Sequence, residues 1–282
     1  MIARCAYFRT TKLNCPAEPS DLGALSVDAF LGGSVQIAQP LKGYRAGVDP
    51  VLLAASIPAV SGQTVLELGC GGGVASLCLG RRVSGLKLTG VEIQPAYAAL
   101  ARANALRNDI AFEVIQADLN ALPSDILDHR FDHVLANPPY YDRARSTRAH
   151  DDGREIGLGE ATPLKNWVKV ASKRLAPRGH LHFIHRVERL PELLSAMPPS
   201  LGSIEVQPLC PRASRNPHLV LVRAKKEGRA DFCLHAPIVM HKGATHDENP
   251  KEYNAIVEAV LRQRSSACRG ALTAQQRRRM VL

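Results

Sequence analysis

From residue 64 onward, short apolar runs alternate with longer stretches in which apolar residues recur every three to four positions. The runs Thr64–Leu68, 86–93, 111–116, 132–136 and 180–185 have the length and composition of strands. They are apolar at successive positions, as strands buried on both faces require. Helices are predicted over Val74–Arg82, over 96–106 with Pro95 in the first turn, and over 163–175. In the last of these Leu164, Trp167, Val168, Ala171 and Leu175 share one face, and Pro177 and Gly179 are expected to close it. Two further runs, 204–209 and 219–224, lie close together and predict an antiparallel hairpin at a sheet edge, and 253–264 reads as a final helix. Strand–helix alternation of this kind predicts an α/β protein: an open, doubly wound, mostly parallel sheet of seven strands with helices on both faces. Residues 1–27 show no period and predict a poorly ordered extension, 28–264 a single domain, and 265–282 a basic tail.

Composition narrows the class. Of 282 residues, 45% are hydrophobic and 22% charged, as in ordinary globular proteins, and no apolar run approaches the roughly 18 residues of a spanning helix. The chain start lacks an apolar core segment, so no secretory signal is expected. Seven cysteines without a C-x-x-C pair or a Cys/His cluster of metal-site spacing predict a reducing, cytoplasmic setting and no metal site, with Cys70 and Cys78 as small core residues. The ten histidines are scattered, and His182 and His185 read as structural.

Charge is divided unequally. Residues 1–140 carry 11 basic and 12 acidic side chains, whereas 141–282 carry 25 and 14. Such a split points to a polyanion engaged by the second half, or to a solvated basic surface. Only 5% of residues are aromatic, which argues against a single-strand stacking platform.

In doubly wound sheets ligands bind at the carboxyl ends of the strands, so each strand end is read for chemistry. The first ends in Glu67, Leu68, Gly69, Cys70, Gly71, Gly72 and Gly73, a glycine loop opening a helix. The second ends in Glu92, placed to accept from a ribose diol, and the third in Asp118, placed to accept from an adenine amine. A dinucleotide fingerprint would need glycine at 74, where this chain has Val74. Glu67 would sit poorly beside a pyrophosphate and suits a cation, such as the sulfonium and ammonium of S-adenosylmethionine.

The fourth strand ends in Asn137, Pro138, Pro139 and Tyr140. Methylating an exocyclic amine requires its lone pair to leave conjugation with the ring. Two acceptors, the Asn137 side-chain oxygen and the Pro138 carbonyl, would each hold one amine hydrogen and favour that change. The prolines fix the local backbone, and Tyr140 offers a face on which a planar substrate stacks. Pro139 belongs to the same substrate-facing turn. Next come Arg143, Arg145 and Arg148, expected to meet phosphates at the mouth of the site.

The Glu-x-Gly-x-Gly-x-Gly loop with acids at the next two strand ends resembles class I S-adenosylmethionine-dependent methyltransferases. The Asn-Pro-Pro-Tyr signature is shared by enzymes that methylate base amines or a glutamine amide. Gln39-Pro-Leu-Lys-Gly43-Tyr-Arg-Ala-Gly47-Val-Asp49-Pro-Val-Leu-Leu-Ala, the Leu164/Trp167/Ala171/Leu175/Gly179 pattern and Phe183-Ile184-His185-Arg186 resemble the bacterial tRNA (valine) adenine-N6 methyltransferase family, from about Gly33 to Arg262. The resemblance implies a Rossmann-like methyltransferase fold, S-adenosylmethionine as cofactor and tRNA or another structured RNA as partner. It further implies Glu92 on the ribose, Asp118 and Leu119 at the adenine, Gly69 and Gly71 beneath the cofactor, and Gly47 and Asp49 near its methionine end. The N-terminal extension and the Arg-rich tail depart from the family. The expected reaction is N-methylation of an exocyclic amine, with adenine N6 in tRNA first. The alternatives are another RNA or DNA base amine, or a protein glutamine, although the segment before Thr64 looks too short and glycine-rich for the helical domain usual in glutamine methyltransferases. A cofactor-fold module that only binds RNA would leave Asn137 to Tyr140 unexplained.

Overall fold

The computed structural model describes residues 22–142, 159–160, 162–243 and 252–262. It opens on a hairpin, β1 (Leu25–Phe30) and β2 (Val35–Pro40), followed by α1 (Asp49–Ser56). Then come β3 (Thr64–Leu68), α2 (Val74–Arg82), β4 (Lys87–Glu92), α3 (Pro95–Arg107), β5 (Phe112–Gln116), the short α4 (Ser124–Leu127) and β6 (Phe131–Ala136). A two-stranded pair, β7 (Tyr141–Asp142) and β8 (Gly159–Glu160), precedes α5 (Leu164–Arg174), β9 (Leu175–Arg186) and α6 (Leu190–Ser195). The described residues close with β10 (Leu201–Cys210), β11 (Leu219–Lys226), two-residue strands β12 (Cys233–Leu234) and β13 (Ile238–Val239), and α7 (Ala255–Arg262).

The main sheet runs β10-β11-β9-β6-β3-β4-β5, with β12 and β13 added in parallel along β10. Seven strands therefore form the body, as expected, and the two short ones raise the total to nine. Strands β3, β4, β5, β6 and β9 are mutually parallel, and β11 is antiparallel to both β9 and β10, so the edge hairpin is present. The order reverses between β3 and β6: β4 and β5 extend the sheet one way from β3, and β6 and β9 the other. That reversal opens a crevice at the carboxyl ends of β3, β4 and β6.

Apolar residues on both sides of the strands explain the two layers. Val65 and Leu135 face one core with Leu52 and Leu53 of α1, Leu77 and Leu79 of α2, and Val257 and Val260 of α7. Leu66, Leu68, Val134 and Ala136 face a second core with Trp167, Val168 and Ala171 of α5 and Leu193 of α6. Two expectations need correction. Strand β1 starts at Leu25, inside the segment assigned to the extension. Helix α1 and the hairpin were not read from the pattern. Helix α5 stops at Arg174 and Leu175 begins β9 directly, five residues before the expected strand. The early part of β9 carries a register shift against β6 between Phe131 and His133, which accommodates Pro177 and a positive φ of 62° at Arg178.

Candidate active site

The glycine loop after β3 needs glycine twice over at Gly69. Its φ is +63°, and a Cβ there would lie 2.5 Å from Cη2 of Trp167. Trp167 is fixed in turn by donating from Nε1 to the Thr162 carbonyl at 3.1 Å. The loop is tied from below by β4: the Cys70 N–H donates to the Val91 carbonyl at 3.0 Å, and the Gly71 N–H donates to Glu92 Oε2 at 2.9 Å. The other Glu92 oxygen accepts from the Gln94 N–H at 2.9 Å. Asn104 of α3 donates from Nδ2 to the Gly72 carbonyl at 3.0 Å and holds the loop from the side.

Glu67 is 3% exposed, and its Oε2 accepts from both the Ser76 N–H (3.0 Å) and the Ser76 hydroxyl (2.5 Å) at the start of α2. Burial pushes its carboxyl up to about 7, against the pull of those two hydrogen bonds. Burial also raises Glu92 and Asp49 above the usual carboxylate range. Among the described residues none of the three takes part in an ion pair. Unpaired, desolvated carboxylates gathered at a strand-end crevice mark a site for a cation.

Asp118, after β5, accepts at Oδ1 from the Asn120 N–H (2.8 Å) and side chain (3.0 Å) and remains partly open, while Leu119 is buried. Ile93, one residue past Glu92, is 56% exposed at the same rim, an apolar surface that the sequence reading did not single out. Gly47 is exposed, and a Cβ there would meet nothing within 4 Å.

After β6, Pro138 is buried and Pro139 half-buried. The Asn137 Oδ1 is buried with no hydrogen-bond partner among the described residues. Tyr140 donates its hydroxyl to Asp49 Oδ2 at 2.5 Å, so the first turn of α1 and the turn after β6 are joined across the crevice. Burial and the Asp49 charge both hold the Tyr140 hydroxyl far above its ordinary range. The Tyr140 ring packs on that of His185, centroids 5.5 Å apart and tilted by 54°. His185 is fully buried, accepts the Arg186 N–H at Nδ1 (2.8 Å), and is pushed down to about 4, chiefly by burial. The ring is thus a neutral structural wall behind Tyr140.

The structure therefore brings Asp49, Glu67, Gly69, Gly71, Glu92 and the Asn137–Tyr140 turn to one rim, with Asp118 and Leu119 at the next strand end. Arg143, Arg145 and Arg148 lie outside the described residues. The sequence marks Trp167 as a helix-face residue and part of the family pattern but not as a neighbour of the glycine loop, and Tyr44, Ile93 and His185 give no periodic signal that places them at the site.

The arrangement can hold an adenosyl cofactor that is cationic at its reacting end. Glu92 could accept from the sugar hydroxyls of such a group, Asp118 with apolar Ile93 and Leu119 could border its base, and the acids without ion pairs could meet its charge. The Asn137 Oδ1, buried without a partner among the described residues, could accept from a donor-bearing substrate.

Residues 48–205 match the family model of the methyltransferase small domain. A tRNA1(Val) (adenine(37)-N6)-methyltransferase of Porphyromonas gingivalis strain W83 is 33% identical over 182 residues, covering 60% of this chain and 69% of that protein. One of the same name from Glaesserella parasuis is 23% identical over 218 residues, covering 76% and 88%. A crystal structure described as a predicted O-methyltransferase of Agrobacterium tumefaciens superposes with a TM-score of 0.61 at 24% identity, covering 78% of this chain and 96% of the other, which speaks to the fold alone. With a family model spanning more than half its length and a relative one-third identical across most of that relative, the chain belongs to the methyltransferase small domain family and is a methyl-transferring enzyme.

Proposed function

We propose that this enzyme transfers a methyl group from S-adenosylmethionine to the N6 amine of an adenine in tRNA. The observation that carries the reading is the Oδ1 of Asn137 at the start of the Asn-Pro-Pro-Tyr turn, buried and without a hydrogen-bond partner among the described residues. The names of the Porphyromonas and Glaesserella relatives support adenine N6 in tRNA as the target. The basic surplus of residues 141–282 supports a polyanionic substrate, and with it a cytoplasmic location. A glutamine-methylating alternative draws less support, because the names of both relatives give a tRNA adenine as the target.

The cofactor supplies an electrophilic methyl on a good leaving group, so the protein's task is alignment, which is worth about 7–11 kcal/mol of barrier when the reacting atoms are held at about 3–3.5 Å. Glu92 binds the ribose hydroxyls while its two oxygens stay ordered by the Gly71 and Gln94 amides. Asp118 and Leu119 hold the adenine end. Asn137 Oδ1 and the Pro138 carbonyl each accept one amine hydrogen and stabilise the nitrogen as it becomes tetrahedral. Tyr140, anchored at Asp49 and backed by His185, provides the stacking face. The proton then leaves from the product ammonium to water.

The division of labour is tested by two substitutions. Asn137→Ala is expected to lower single-turnover methylation about 10²–10³-fold, the usual cost of losing one group aimed at developing charge, with cofactor affinity by calorimetry unchanged. Asp118→Ala is expected to weaken cofactor binding more than Asn137→Ala does. Equal losses of cofactor affinity from the two would contradict these roles.

A further inference from the structure

The segment between β2 and α1 carries an aromatic residue, Tyr44, to which no role is assigned above. The segment lacks regular structure but is held at several points. The Tyr97 hydroxyl of α3 donates to the Tyr44 carbonyl at 3.0 Å. The Arg45 guanidinium bonds Asp28 (2.6 Å) and the Pro40 carbonyl (2.7 Å), and the Ala46 N–H donates to Gln39 Oε1 at 2.8 Å. Held this way, the Tyr44 side chain lies over the glycine loop: a Cβ added to Gly71 would be 3.6 Å from its Cε1. Gly71 is the residue whose amide Glu92 binds. On its other side the Tyr44 ring meets that of Tyr97, centroids 6.3 Å apart.

The surroundings decide what such a ring is for. Burial first, then the charges of Asp49 and Glu67, hold the Tyr44 hydroxyl neutral, with Glu92 adding to the effect. A neutral aromatic face stands among three carboxylates that take no ion pair among the described residues. A carboxylate pressed against an activated methyl could itself be alkylated. An aromatic face attracts the same positive charge through its quadrupole and offers no competing nucleophile.

We infer that Tyr44 is the aromatic wall of the cofactor's cationic end, its ring over Gly71 binding the methylsulfonium by cation–π attraction. The inference rests on the methyl-donor reading given above. Its physical signature is selectivity for charge: the ring discriminates a cation from a neutral group of the same shape, whereas a residue that merely shapes the loop does not.

Calorimetric titration of the full chain with three ligands makes that distinction without turnover. S-adenosylmethionine and sinefungin are positively charged at the reacting position, and S-adenosylhomocysteine is a neutral thioether there. Tyr44→Leu is expected to weaken the two cations about 5–30-fold and the thioether less than about 2-fold, the range of a desolvated cation–π contact. Tyr44→Phe keeps the ring and should bind all three as the parent does. Phenylalanines of rising fluorine content at position 44 preserve shape while weakening the quadrupole, and should lower sinefungin affinity stepwise, which keeps the test valid if the leucine variant folds poorly. Equal losses for cations and thioether, no loss, or a gain for all three would overturn the assignment of Tyr44 and leave the methyl-donor reading intact. Failure of the unaltered chain to bind any of the three would overturn that reading and this inference with it.

Discussion

Glu67 holds a carboxyl group in the protein core with two hydrogen bonds from Ser76 and no cation among the described residues. Its folded-state value of about 7 lies above the ordinary 4.5, so the folded protein binds a proton that the unfolded chain releases in between. Stability from this group is fully present below about pH 4.5 and is lost as pH rises toward 7. Glu67→Gln removes that loss. Relative to the parent, the glutamine variant should gain on the order of 3 kcal/mol between pH 4.5 and 8, read from urea unfolding at successive pH values. A parent–variant difference that stays flat across this window would contradict the buried, unpaired state. The position of Glu67 just before the glycines points to a cation. That position was legible; the Ser76 bonds that commit one oxygen to α2 were not, because nothing in the spacing singles out Ser76.

At the scale of elements, α3 substitutes for a missing neighbour of the hairpin. Asn104 Oδ1 accepts from the Ala38 N–H (2.8 Å) while its Nδ2 donates to the Ala38 carbonyl (3.1 Å). One turn later Asn108 does the same to Gln36, accepting at 2.7 Å and donating at 2.7 Å. Two amide side chains four residues apart thus imitate the edge of a strand and satisfy β2. Since Asn104 also holds Gly72, the hairpin, the helix and the cofactor loop share one fastening. Asn104→Ala would strand two backbone groups of Ala38 and one of Gly72, at about 1–3 kcal/mol for each buried group left unpaired. We expect a loss of about 3 kcal/mol or more in urea unfolding together with weakened cofactor binding; loss of stability with undiminished cofactor affinity would separate the loop from this fastening. Asparagine inside a helix is a disfavoured choice and was the available signal. Without knowledge of β2 it had no interpretation. The parallel strands, by contrast, were legible because burial on both faces writes unbroken apolar runs, whereas β1 alternates in exposure over only six residues and resembles a loop. The start of β9 was hidden because its first residue, Leu175, also completes the apolar face of α5.

Charge is unevenly divided along the chain. The acid-rich crevice is built largely from the first half of the chain, and the basic surplus lies in the second. Among the described residues no helix is long and apolar enough to cross a membrane. A cationic cofactor and a polyanionic substrate would then be drawn to different regions of one protein, and only the target base would cross between them to the Asn137 turn. tRNA binding should accordingly weaken at least about 10-fold between 50 and 200 mM salt, by counterion release, while cofactor affinity changes little. Salt-independent tRNA binding would contradict this division. The strand ends that carry Glu92, Asp118 and Asn137 were readable from the sequence because the doubly wound architecture fixes where each strand delivers its last residues. Tyr44 and the Tyr140–Asp49 bond were not, because they depend on a loop folding back over the sheet.

The most direct measurement follows the methyl group itself. Purified protein is incubated with methyl-labelled S-adenosylmethionine and total tRNA, and the RNA is digested to nucleosides and analysed by mass spectrometry. The account predicts label in N6-methyladenosine, lost when Asn137 is replaced by alanine. Label in another nucleoside, in protein glutamine, or undiminished in the Asn137→Ala variant would contradict it.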